Sequence, residues 1–212
     1  VYGGPDIVTS GLVLHLDAGS NKSYPGSGNV VYDLSNNYRN ATIYNSPSIN
    51  NGIITLDQTN DYIEIPQVLQ PLTIDFWFNT PNTNNAAIIY AGVNTYNSGS
   101  WQWSLFYYAN SLFWRPNAGS TGNNITSFVS VNNWYHFVMT RNSNNNSKVY
   151  INGQEVVTYS ANRIEVTGYI RIGRASSIYW NGSFGPLKMY DKILATYEIQ
   201  QNYNALKGRF GL

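Results

Sequence analysis

The chain contains no cysteine. That excludes disulfide staples, thiol nucleophiles and cysteine-ligated zinc or iron–sulfur centres, and it leaves the redox compartment unread. Charge is scarce too: only 11% of the 212 residues are Asp, Glu, Lys or Arg, against roughly 25% in an average soluble domain. The 12 basic and 11 acidic side chains nearly cancel at +1 and form no basic cluster, so the electrostatic footprint of a nucleic-acid or polybasic membrane-surface binder is missing. No nucleic-acid partner is expected. No apolar run approaches the roughly 18 residues of a membrane span, and no charged-then-apolar leader opens the chain, so no membrane insertion is expected and the chain reads as soluble. Val1 stands where an initiator Met would be, which points to trimming or an excised segment.

What is abundant is aromatic and amide. Phe, Trp and Tyr make up 15% of the chain, and about thirty residues are Asn, a residue suited to turns rather than to strand or helix interiors. Short runs rich in β-branched and aromatic residues recur between Gly, Pro, Asn and Ser: Leu12 to Leu16, Ile53 to Asp57, Tyr62 to Ile65, Leu72 to Phe78, Ala87 to Ala91, Trp101 to Tyr108 and Leu112 to Arg115. They continue as Trp134 to Arg141, Lys148 to Ile151, Glu155 to Tyr159, Tyr169 to Ile172 and Leu187 to Tyr190. This is the pattern of an all-β sandwich or barrel. Asn152-Gly153 between two such runs predicts a type I′ hairpin turn. Asn142 to Ser147 and Asn181 to Ser183 read as loops. Helical spacing occurs once, over Tyr197 to Leu206, with Ile199, Tyr203 and Leu206 on one face. With no composition shift and no internal repeat, residues 1–212 read as one domain.

Five segments in order resemble the laminin-G-like, concanavalin-A-like lectin/glucanase family, in the form found in phage structural proteins. They are Gly11 to Ala18, the turn Tyr32 to Asn37, the strand Leu72 to Phe78, the pair Trp134 to Arg141 with Val149 to Gly153, and the closing stretch Lys188 to Leu194 with Glu198 to Tyr203. The resemblance implies a jelly-roll sandwich of two antiparallel sheets with a short C-terminal helix, and binding at a loop rim or on a concave face. It also implies a calcium question. Asp17 matches the opening-strand aspartate of calcium-bearing relatives, whereas Gly185-Pro186 stands where they carry a second acidic stretch. Asp17 is the candidate calcium ligand; otherwise Asp17 and Asp33 cap turns.

Glycoside hydrolysis requires two carboxylates at a set separation. The family's glucanases carry three acids on one strand as Glu-x-Asp-x-x-Glu. That motif is absent here, and Glu64, Glu155, Glu165 and Glu198 stand isolated, so no enzyme activity is expected. His15 and His136 lie in apolar strands and read as satisfied structural histidines. Aromatics carry the binding expectation, because a flat ring with a polar handle can stack on a sugar while neighbouring amides take its hydroxyls. Trp101 and Trp103 alternate with Leu105 and Tyr107 along one face of a strand, and Trp114 follows in the next. These three fit an inter-sheet core as well as a binding face. Tyr96, Tyr179 and Trp180 sit among Asn, Ser and Gly, and exposure is expected of Tyr96 and Trp180. Together these six residues are the candidate carbohydrate site. The function expected is a non-catalytic virion-surface or extracellular adhesion module that binds host-surface glycan, with repeated copies supplying avidity and other virion proteins as partners. The alternatives are a structural virion domain and, further off, a polysaccharide-cleaving enzyme.

Overall fold

In strand after strand, apolar side chains alternate with polar ones at period two, which lets a sheet bury one face against a partner. A computed structural model describes residues 5–66, 70–92, 101–116, 122–142, 146–160 and 168–212, with the backbone alone at 101 and 102. In chain order the strands are β1 (Leu12–Leu16), β2 (Val30–Val31), β3 (Ala41–Tyr44), β4 (Ser48–Asn50), β5 (Ile53–Asp57), β6 (Tyr62–Ile65), β7 (Thr73–Asn79), β8 (Ala86–Gly92) and β9 (Trp101–Tyr108). There follow β10 (Ser111–Arg115), β11 (Asn123–Asn124), β12 (Trp134–Arg141), β13 (Asn146–Ile151), β14 (Gln154–Ser160), β15 (Tyr169–Ile172), β16 (Arg174–Ala175), β17 (Ile178–Tyr179) and β18 (Asn181–Tyr190). One α-helix, α1 (Thr196–Leu206), and a 3-10 turn over Lys207–Phe210 close the chain.

Two antiparallel sheets result. The first runs β14-β13-β12-β7-β18-β5-β4 and the second β11-β10-β9-β8-β15-β6-β3-β2. β18 is the long spine of the first sheet. Its first half pairs with β5 and its second half with β1, on either side of a register shift between Phe184 and Leu187. That shift holds Gly185-Pro186, and Pro cannot donate to a ladder, so a bulge is where it belongs. Between the sheets lies one core. Leu14, Phe76, Phe78, Phe137, Phe184 and Met189 meet Ile63, Ile89, Leu105, Trp114 and Ile170; the Phe76 and Phe137 rings lie 5.0 Å apart. Fully burying a side chain of this size contributes about 1.5–3 kcal/mol.

The two-sheet architecture with one short C-terminal helix is as expected. At Asn152 and Gly153 φ is 51° and 79°, the two positive values that a type I′ turn requires. One expected loop is strand instead, and so are the last two residues of another. Asn181 to Ser183 opens β18, paired to Leu56 and its neighbours, and Asn146-Ser147 opens β13. In both, main-chain pairing to an adjacent strand overrides the turn preference of Asn and Ser, as tertiary context commonly overrides propensity.

The outer face of the first sheet is covered by the chain's own C-terminal segment. Ile199 of α1 is fully buried, Tyr203 stacks on Trp77 at 5.8 Å, and Phe210 stacks on Trp77 at 4.3 Å and leans on Trp134 at 4.5 Å. Trp77 is fully buried, and Phe210 packs on both it and Trp134. Beneath the helix sits a buried polar cluster. Asp75 Oδ1 is 2.8 Å from Lys188 Nζ and 3.0 Å from His136 Nε2, and Asp75 Oδ2 accepts from Asn202 Nδ2 at 2.8 Å. Asn202 also accepts from Val8 N at 2.8 Å, while Tyr190 Oη donates to Val8 O at 3.0 Å. Burial alone would push the Asp75 pKa up, but the charge of Lys188 and the bond from His136 outweigh it and hold the carboxyl well below its usual range.

Two outcomes follow. Asp75→Asn leaves the Lys188 ammonium buried without its counter-charge and is expected to cost about 3–5 kcal/mol, read as a lowered urea midpoint. His15, paired across to Lys188, has its pKa lowered to about 4 by burial first and by Lys188 second. Its neutral form is therefore favoured in the fold, while the unfolded chain takes up a proton below about 6.5. Stability should fall as pH drops from about 6.5 to about 4, and His15→Gln should flatten that segment of a pH series of urea midpoints.

Candidate functional site

The outer face of the second sheet has a different character. Strand register lines up Thr42, Glu64, Arg171, Tyr90, Ser104 and Arg115 as one row across β3, β6, β15, β8, β9 and β10. Within it Arg171 donates from Nε and Nη2 to Glu64 Oε2, each at 2.7 Å. That buried pair cancels its own charge and fixes the middle of the face. The Arg171 guanidinium lies 4.9 Å from the centre of the Tyr169 ring, and Arg115 lies 5.0 Å from Phe106.

The small β16–β17 hairpin folds back over this sheet. Ala175 packs with Ala87, Tyr90 and Phe106, which places Arg174 and Tyr179 beside β6. A continuous stack results. Tyr44 lies on Tyr62 with ring centres 4.3 Å apart and planes 3° from parallel. The Arg174 guanidinium lies 4.7 Å from the Tyr62 ring and 5.4 Å from Tyr179. Arg174 Nε donates to Ser176 O at 2.8 Å, a carbonyl aimed by a turn in which Ser176 adopts φ 57°. Tyr44, Arg174 and Tyr179 are half-buried, whereas Tyr62 is buried between its neighbours. Burial, and next the charge of Glu64, raise the Tyr44 pKa, so its phenol stays protonated at neutral pH and can donate.

Tyr44 also lines a groove of about 490 Å³ with Tyr24, Asn29, Asn45, Ser46 and Ile49. Through Tyr24 and Ile49 this groove continues into a cleft of about 920 Å³ beside Asn21, Asn51 and Arg209. Aromatic walls with exposed amides at the rim suit a polyhydroxylated ligand better than an apolar one.

Residues 57–200 match the family described as the concanavalin A-like lectin/glucanases superfamily, Laminin_G_3. The chain belongs to this superfamily. Over 150 residues it is 33% identical to the botulinum neurotoxin type F of Clostridium botulinum, covering 64% of this chain and 11% of the toxin. Among solved structures, the Trypanosoma rangeli sialidase in complex with sialic acid superposes with a TM-score of 0.75 at 16% identity, over 96% of this chain and 34% of that one. The binding domain of botulinum neurotoxin DC in complex with SialylT gives 0.73 at 18% identity, over 93% and 52%. The chain thus spans from about a tenth to about half of the length of these relatives, and at these identities the superpositions show the concanavalin-A-like fold.

Within that fold, the residues expected to bind sugar separate. Trp103 and Trp114 are buried in the inter-sheet core, their rings 5.8 Å apart, with Trp114 Nε1 bonded to the Tyr159 hydroxyl. Trp180 is buried as well, its Nε1 donating to Thr80 Oγ1 at 3.3 Å. Its ring lies over Gly182, where a Cβ would overlap it. These three are corrections: the period-two phase of β9 and β10 points the rings inward, and Gly182 makes room for the third. Tyr96 and the side chain of Trp101 lie outside the described residues. Of the four whose side chains are described, Tyr179 alone is placed on the aromatic face.

Asp17 does not fit a calcium ion. Its Oδ1 accepts from Arg209 Nη1 at 2.7 Å and from Gly19 N at 2.8 Å, so a guanidinium of the chain itself supplies the positive charge there. Arg209 Nη2 donates to Gly52 O at 2.7 Å, and a Cβ on Gly19 or Gly52 would meet the guanidinium. Gly185, at the second acidic position of calcium-bearing relatives, packs under Trp77 and Phe210. Asp33 accepts from Ser35 N at 2.9 Å, as a turn-capping aspartate does.

Sequence reasoning missed Tyr44, Tyr62, Arg171 and Arg174. A signal for them existed, since Tyr62-Ile63-Glu64-Ile65 and Tyr169-Ile170-Arg171-Ile172 alternate polar-aromatic with Ile at period two and so announce a decorated outer face. Trp180→Ala should therefore act as a core truncation. We expect a loss of about 3–5 kcal/mol in denaturant unfolding and, in the folded fraction, unchanged sugar affinity.

Proposed function

We propose that this chain is a non-catalytic carbohydrate-binding module whose site is the outer face of the second sheet, centred on the Tyr44–Tyr62–Arg174–Tyr179 stack and continuing into the Asn-lined groove beside Tyr44. The stack is the observation that carries the reading. It fixes ring faces and a cation on a rigid sheet, next to the exposed amides of Asn29 and Asn45. Membership of a lectin and glucanase superfamily supports it. So do the named neighbours: a sialidase is bound to sialic acid, a neurotoxin binding domain to SialylT, and entry of neurotoxin type C depends on two ganglioside molecules.

The non-catalytic part rests on the acids. Glu64 is tied to Arg171, Glu155 to Lys148 and Thr158, and Glu198 to Lys192 and the Ala195 N–H; Glu165 lies outside the described residues. A carboxylate engaged in this way is poorly placed to act as nucleophile or general acid on a sugar. We further propose display on a virion or another extracellular surface, where low-affinity glycan contacts gain from repetition.

Titration calorimetry against a panel of neutral and acidic oligosaccharides tests this reading. Saturable binding is expected for at least one, weakened about tenfold, or about 1.4 kcal/mol, by Tyr44→Ala, with no reducing ends released on prolonged incubation. Silence across the panel, even for a multimerised protein, would rule the reading out.

A further inference from the structure

We infer that Arg174 is the anchor for a carboxylate, so that the preferred ligand is an acidic glycan bearing a sialic or uronic acid rather than a neutral one. The inference rests on the carbohydrate-binding reading above and adds a ligand class to it. Two rings lie against the guanidinium, Tyr62 at 4.7 Å and Tyr179 at 5.4 Å. Nε is committed to Ser176 O at 2.8 Å. The Nη1 and Nη2 donors are then the remaining hydrogen-bonding capacity of a side chain whose orientation is already fixed. Two parallel N–H donors on a planar fork match the two oxygens of a carboxylate.

The surrounding charges point the same way. Arg171, 5.9 Å from the same Tyr62 ring, is neutralised by Glu64. Arg174 belongs to none of the ion pairs of the described residues, although it is only half-buried. The two rings and the bond to Ser176 O remove part of its water and keep it in place before a ligand arrives, so less ordering is lost on binding. The hairpin turn holds Ser176 at φ 57°, an unfavourable value for a residue other than Gly, and that turn sets the carbonyl that orients Arg174. A sugar ring against Tyr44, with its carboxylate at Arg174 and its hydroxyls toward Asn45 and Asn29, would use the whole face.

The test compares 3′-sialyllactose with lactose, and a trigalacturonide with its carboxyl-reduced form, against the wild-type protein, Arg174→Gln, Arg174→Lys and Tyr44→Ala. The acidic member of each pair is expected to bind about tenfold more tightly to the wild type, the gain of a charge-assisted pair. Arg174→Gln should erase that difference, and Arg174→Lys should restore only part of it. The methyl ester of sialyllactose removes the charge without touching the protein, and it should bind the wild type like lactose. A preference for only one acid type identifies the source of the carboxylate and supports the inference equally. Equal affinity for acid and ester, or a preference that survives Arg174→Gln, overturns it while leaving the carbohydrate reading intact. Absence of binding to every probe overturns the carbohydrate reading and the inference with it.

Discussion

A single ionised carboxylate, that of Asp75, sits where most of the first sheet is tied together. It is fully buried, yet it engages Lys188 from β18, His136 from β12 and Asn202 from α1. Through Asn202 it reaches Val8 near the start of the chain. A buried charge is tolerated only when its partners are complete, so each of these elements has to arrive in one position for the others to be stable. Such a network specifies an arrangement more than it adds net stability, because desolvation offsets much of the attraction. Here the arrangement specified is the docking of the C-terminal helix on the sheet.

That docking decides which surface is left for recognition. The inner faces of both sheets are consumed by the core. The outer face of the first sheet is consumed by Tyr203, Phe210 and Ile199. The outer face of the second sheet is where half-buried tyrosines and arginines gather. The polarity there is built from phenols, amides, one internally neutralised ion pair and the Arg174 guanidinium, in keeping with a chain in which charge is rare.

Much of the architecture could be read from residue order, because alternation at period two and a turn-specific Asn-Gly pair are local signals with a direct structural meaning. Strands such as β1, β6 and β15 fall where alternation places them. The short strands β2, β4, β16 and β17 carry too few residues to show a period, and they exist because a neighbour offers them partners. The site was less legible for a related reason. Which of two alternating faces looks inward depends on the opposing sheet, so Trp103 and Trp114 could not be separated from a surface pair by pattern alone. Trp180 looked exposed among small polar residues, yet the same Gly182 that suggested a loop supplies the space that buries it. The Arg174 stack joins residues of β3 and β6 to the β16–β17 hairpin more than a hundred positions further along, beyond the reach of any local pattern.

The latch formed by Arg209, Asp17 and Gly52, together with the bond from Val8 to Asn202, ties Val8 and the C-terminal segment to the helix-covered side of the sandwich. The aromatic face lies on the opposite side. A molecule held by its helix-covered side would therefore turn its tyrosines away from the support, and copies held alike on one surface would all offer the same face to whatever approaches. Orientation on an array is in this sense built into the path of the backbone, without any contact between copies.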